Sequence, residues 1–228
     1  MQVIMMYFAN SSTGIRTYID DASKSESYFC PICNQAMVQK RGKINAHHFA
    51  HISSTACDKW YTEKSLWHSS WQARFPENSR ERILGNTRNY HVADVFYNNI
   101  VIEFQHSSMS SEEFGMRSKF YSRHGQKLIW VIDCENEYAK GRLFYADDER
   151  ILGLDYFRWE QPKRYLLGNT PNAINNVEIF LQIQSDRLLR TDQISRNLKG
   201  IPSYRYFWAR EYSVDEFLRY VDPCRGQK

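Results

Sequence analysis

The chain has 228 residues and a mass of 27.2 kDa, enough for a sizeable core plus one small module. Apolar residues make up 42%, aromatic residues 15% and charged residues 25%, which excludes a disordered tail or a low-complexity array. The formal net charge of +4 permits a polyanionic partner without demanding one.

The first nine residues are apolar, lack a basic flank and run into Asn10-Ser11-Ser12, so they read as a strand rather than a signal peptide. No apolar run approaches the ~20 residues that span a bilayer. The expectation is a soluble, cytoplasmic protein with no membrane partner. Five cysteines, at 30, 33, 57, 134 and 224, then read as thiols or metal ligands rather than a disulfide framework.

Residues 1–58 form the first region. Short strand-like runs at 3–8, 15–19 and 37–40 are broken by turn residues and offer too little core to fold unaided. Between them lie Cys30-Pro31-Ile32-Cys33 and His47-His48-Phe49-Ala50-His51, with Cys57 beyond. Cys-x2-Cys in a Pro-containing turn has the spacing of a zinc knuckle, and a structural Zn2+ would stabilise a small β module because metal-binding free energy becomes folding free energy. The favoured ligands are Cys30, Cys33, His51 and Cys57, with His48 as the competing ligand, since His48-x2-His51 mirrors the cysteine spacing.

Residues 59–134 alternate helix and strand patterns. Trp67, Trp71 and Phe75, four residues apart, mark one helical face. Strand candidates follow at 82–84, 92–97 and 100–105. Ser110-Ser111-Glu112-Glu113 then opens a helix as a capping box, and 128–133 reads as a buried strand. This order of elements is an α/β arrangement. Residues 135–228 show strand-like runs at 143–145, 156–159 and 179–183 and a terminal helix at 213–220 with Ser213 and Glu216 as its capping box, an α+β extension packed on the core.

The most informative stretch runs from His91 to Gln105. If Asn98-Asn99 forms a two-residue turn, Tyr97 pairs with Ile100, Phe96 with Val101, Val95 with Ile102, and Asp94 faces Glu103. Alternation points Gln105 the same way as Glu103. Two carboxylates side by side on a half-buried hairpin repel unless a cation or proton compensates, and oxygen ligands select Mg2+ or Mn2+.

Together, Cys30-Pro31-x-Cys33, His48-Phe49-Ala50-His51, Trp67-His68-x-x-Trp71-Gln72, His91-x-Ala93-Asp94-Val95, Ile102-Glu103-Phe104-Gln105-x-Ser107 and Ile129-Trp130-Val131-Ile132-Asp133 resemble the competence protein CoiA family, in order over about residues 1–134. The resemblance implies a zinc-ribbon-like N-terminal β module, 1–58, followed by a PD-(D/E)XK restriction-endonuclease-like core, 59–134, whose mixed sheet is flanked by helices, with 135–228 as the α+β extension. It implies Asp94 and Glu103 as ligands of the catalytic metal, and puts Gln105 where the wider superfamily has lysine. An amide orients water but is no general base.

On the helix before the hairpin, His68 matches the family motif, with Glu63 a second acidic candidate and Gln72 a polar one. Arg117 and Tyr121, one turn apart, resemble a family R-x3-Y pattern suited to a phosphate and a base, with Ser107 and Lys119 beside them as further nucleic-acid contacts. The implied activity is metal-dependent DNA hydrolysis in bacterial DNA uptake or recombination, with single-stranded or branched DNA and recombination proteins as candidate partners. The alternative is an inactive zinc-ribbon module, on a nuclease-like fold, that binds DNA or a protein partner.

Overall fold

The computed structural model describes residues 5–42, 47–52, 60, 65–86, 89–151, 154–163, 166, 176–191 and 204–226. It divides into two compact units, one of Met1–Ser70 with Ile83–Val92 and one of Trp71–Arg82 with Ala93–Lys228.

The first unit carries a six-stranded sheet of short strands, β1 (Met5–Met6), β2 (Phe8–Ser11), β3 (Arg16–Tyr18), β4 (Tyr28–Phe29), β5 (Ala36–Lys40) and β6 (His48–His51), in the order β1-β6-β5-β4-β2-β3. Every pairing is antiparallel. Its core is small: Met6, Phe8, Ile19, Tyr28, Cys30, Met37, Phe49 and Val92 form one buried cluster. The expected run at 3–8 reaches into residues outside those described; its described part is two strands, β1 and β2.

The second sheet is built from longer strands: β7 (Arg80–Asn86), β8 (Asn89–Tyr97), β9 (Ile100–Gln105), β10 (Lys127–Asp133), β11 (Leu143–Ile151), β12 (Leu154–Glu160), β13 (Val177–Gln184), β14 (Arg187–Thr191) and β15 (Tyr204–Ser213). Their order is β11-β12-β15-β14-β13-β10-β9-β8-β7. β10 lies parallel to both β9 and β13, whereas β8–β9 and the pairs from β13 round to β11 are antiparallel. Four α-helices are described: α1 (Leu66–Gln72), α2 (Ser111–Tyr121), α3 (Glu135–Ala139) and α4 (Val214–Val221). This is the expected mixed-sheet α/β class with a small N-terminal sheet module. No helix among the described residues is long and apolar enough to cross a membrane.

The apolar runs explain which strands lie centrally. β9 and β10 are buried on both faces, as parallel neighbours require, and read as near-continuous Ile, Val and Leu. One face receives Trp71, stacked on Phe104 at 5.5 Å and edge-on to Phe217 of α4. The other receives α2, where Phe114 packs 4.9 Å from Trp130 and Ser118 Oγ accepts the Trp130 indole N–H at 3.0 Å.

Both helices begin where the serines mark them. Ser110 Oγ accepts the Glu113 N–H to cap α2, and Ser213 with Glu216 closes a complete capping box on α4. The C-terminal α+β extension does more than pack on the core, since β13 pairs with β10 and the strands from β11 to β15 continue the same sheet.

Candidate functional site

The hairpin forms in the expected register. Val95 pairs with Ile102, Phe96 with Val101 and Tyr97 with Ile100, across a turn in which Asn98 and Asn99 take φ of 49° and 61°. Two consecutive residues in the left-handed region are what a two-residue turn needs to match the strand twist, and asparagine tolerates it.

Beyond Val95 the ladder changes character. Glu103 Oε1 accepts the Asp94 backbone N–H at 3.0 Å, and Asp94 Oδ2 accepts the Phe104 backbone N–H at 2.9 Å. Each carboxylate thus braces the opposite strand, and the two acids are fixed side by side where main-chain pairing gives way. Asp94 is 6% exposed and Glu103 fully buried. Gln72, at the end of α1, donates its Nε2–H to the Asp94 carbonyl at 2.8 Å and so anchors the strand from behind.

Arg117 reaches in from α2 and donates to Glu103 Oε2. It is itself buried, lies over the Trp130 ring at 5.2 Å and has Glu113 3.5 Å away on the next turn. Burial first, and the Asp94 carboxylate second, push Glu103 up to about 8 against the pull of Arg117. Two adjoining carboxylates with one cation leave an excess of negative charge in a buried place. A hard divalent cation fits that donor set, in both charge and oxygen chemistry.

The other expected residues fall as follows. Gln105 is buried on the same strand face as Glu103, and its Nε2 donates to the Ser107 carbonyl at 2.6 Å and to Ser107 Oγ at 3.3 Å. Ser107 therefore holds the amide. Tyr121 shares the inner face of α2 with Arg117 and is fully buried, whereas Lys119 is exposed in the last turn. His68 is half-buried in the first unit, its backbone N–H donating to Ser65 Oγ. Glu63 lies outside the described residues.

In the first unit, the Cys30 and Cys33 turn closes with the Asn34 N–H on the Cys30 carbonyl at 2.9 Å, Asn34 taking φ of 56°. The Ile32 N–H points at Cys30 Sγ at 3.4 Å. His51, at the end of β6, puts Nε2 3.2 Å from Cys33 Sγ, and the ligand atoms of Cys30, Cys33 and His51 lie within 4.8 Å of one another. His48 is three residues earlier on the same strand and so faces the opposite side. It is buried, but it is not in this cluster. Cys57 lies outside the described residues. Two thiols and an imidazole at this separation make a site that a metal ion fits.

Two family models match in chain order: the N-terminal domain of competence protein CoiA over residues 14–59, and the CoiA nuclease-like domain over residues 90–196. The chain belongs to the competence protein CoiA family. No curated protein and no solved structure matches it. The first CoiA model contains the Cys30, Cys33 and His51 cluster, and the second contains Asp94, Glu103, Gln105 and Arg117. The second continues past residue 134, where the sequence resemblance ended, through β13 and β14. The match therefore takes in the strands from β8 to β14 and stops before β15 and α4.

Reading the sequence missed several polar contacts at the carboxyl ends of the parallel strands. His106 Nδ1 lies 2.6 Å from Asp133 Oδ2, and the Trp71 indole N–H donates to Gln182 Oε1, also at 2.6 Å. The signal available was one polar residue ending an otherwise apolar run, Asp133 after 128–132 and Gln182 within β13.

Proposed function

We propose that this CoiA-family chain is a metal-dependent DNA nuclease acting in bacterial DNA uptake or recombination, in the cytoplasm. The reciprocal bracing of Asp94 and Glu103 carries this reading. A strand pair that spends backbone donors on two buried like charges does so to hold them together, and a divalent cation is the partner that makes the arrangement favourable.

Asp94 and Glu103 would hold Mg2+ or Mn2+. When bound, such an ion polarises a phosphodiester and lowers the pKa of water. The chain's own residues do the remaining work. Gln72 and the two strand amides fix the carboxylates, and Gln105, steadied by Ser107, orients water by hydrogen bonding. Lys119 on the exposed face of α2 offers charge to the phosphate backbone. His68 and Glu63 are further catalytic candidates. Buried Arg117 and Tyr121 support the site from α2 before they can meet a nucleotide.

Cys30, Cys33 and His51 would hold a structural Zn2+ with Cys57 as fourth ligand. DNA, single-stranded or branched, and recombination proteins are the partners this reading expects.

The test is cleavage of single-stranded, duplex and branched DNA with Mg2+, Mn2+ or chelator, comparing the unaltered chain with Asp94→Ala and Glu103→Ala. Metal-dependent cleavage lost in both variants supports the reading. No cleavage of any substrate, with DNA bound equally by all three proteins, makes the chain a binding module instead.

A further inference from the structure

Two buried carboxyl groups stand side by side on β8 and β9, and the polar residue two places beyond Glu103 on the same strand face, Gln105, is an uncharged amide. The cation at this place comes from another element. Arg117 of α2 is 8% exposed and donates to the Glu103 oxygen that does not bind the Asp94 amide. Its own hydrogen bonding is incomplete, because Nε is buried with no hydrogen-bond partner. The side chain is placed for Glu103, at the expense of satisfying its own donors.

The helix is built to hold it there. Trp130 lies under the guanidinium and is pinned to α2 by Ser118, while Phe114 packs on the same ring. We infer that Arg117 is the resident cation of the carboxylate site, a positioning residue that aims Glu103 and balances its charge in place of a cation on the strand itself at position 105. This rests on the nuclease reading of Asp94 and Glu103.

A resident cation predicts that charge is needed but its origin is not. Arg117→Gln is expected to lower cleavage at saturating Mn2+ by about 100-fold, the scale for losing one fixed electrostatic contact. Adding Gln105→Lys to that variant is expected to restore about tenfold or more. Gln105→Lys alone is expected to lower cleavage, because it removes the amide that orients water and adds a second cation where one is already present.

In the metal-free protein, hydrogen exchange gives a second readout. The Asp94 amide, which donates to the Glu103 carboxylate, should exchange at least about tenfold faster in Arg117→Gln, while the Phe96 amide keeps its protection. Unchanged cleavage in folded Arg117→Gln overturns the inference, as does a folded double variant no more active than Arg117→Gln. If Arg117→Gln does not fold, Gln105→Lys decides alone, and a tenfold gain there overturns it. Absence of cleavage by the unaltered chain fails the nuclease reading itself, and this inference falls with it.

Discussion

The two clusters show opposite relations between a site and its fold. Around Cys30, Cys33 and His51 the strands are two to five residues long and the core is a handful of side chains, so the ligands sit where the chain has least else to hold it. Around Asp94 and Glu103 the sheet is long, the neighbours are fully buried aromatic and aliphatic residues, and the carboxylates strain against one another. In the first, the metal would hold the fold. In the second, the fold holds two carboxyl groups together at a cost that a cation would relieve.

That contrast is most exposed to chelation and to loss of a thiol. Cys30→Ser, or addition of a chelator, is expected to remove folding free energy on the order of 10 kcal/mol from the small sheet, the scale of a structural zinc site. Hydrogen exchange should show protection lost over β2, β5 and β6 and retained over β9, β10 and β13. Equal protection with and without metal would erase the distinction between the clusters.

The larger sheet should break only through its core. Trp71→Ala removes a ring that stacks on Phe104, meets Phe217 and donates to Gln182, and is expected to cost about 3–5 kcal/mol. Denaturant unfolding followed by tryptophan fluorescence measures it. The loss should be the same in chelator as without it.

How legible each cluster was follows from the range of the interactions that build it. The hairpin register was readable because a two-residue turn fixes every pair after it, and Asn98-Asn99 is a local signal. The choice of His51 over His48 was not, since it depends on strand parity, which a stretch rich in both His and apolar residues does not declare. Arg117 was visible as a charged residue facing the site, but its partner was not: nothing in the spacing says that α2 lies over Trp130 and Glu103.

The C-terminal strands were the hardest. β14 mixes Arg with Leu in no clean alternation, and the aromatic and basic run 204–210 carries no local pattern that marks it as the strand β15 that it is. Only long-range pairing with β12 and β14 makes β15 a strand.

The strain at the carboxylates has a sign in pH. Glu103 ionises near 4.5 in the unfolded chain and near 8 in the folded one, so between these values the native state holds a proton that the unfolded chain has released. The stability that this raised pKa contributes is fully present below 4.5 and is lost as pH rises through 8, by at most about 1.4 kcal/mol per pH unit. Asp94→Asn removes one cause of the shift and should flatten the decline, gaining about 1–2 kcal/mol near pH 8 while abolishing cleavage. Saturating Mg2+ should flatten it in the unaltered chain as well. Denaturant midpoints across this range, with and without Mg2+, measure both effects; a slope that ignores Asp94 and Mg2+ together would mean the carboxylates are not a cation site.

The smallest effect separates the turn from the chemistry it positions. Asn98 and Asn99 both sit at positive φ, which costs an ordinary L residue about 1–2 kcal/mol and asparagine less. Asn98→Ala should therefore lower stability by about 1 kcal/mol, and Asn99→Gly should be neutral or slightly favourable. Neither should alter cleavage per folded molecule. Asp94 is four residues from the turn, and between them the three main-chain pairs and the two carboxylate-to-amide bonds hold the register by themselves. A fall in cleavage that outruns the loss of folded protein would mean that the turn, rather than those bonds, sets the distance between Asp94 and Glu103.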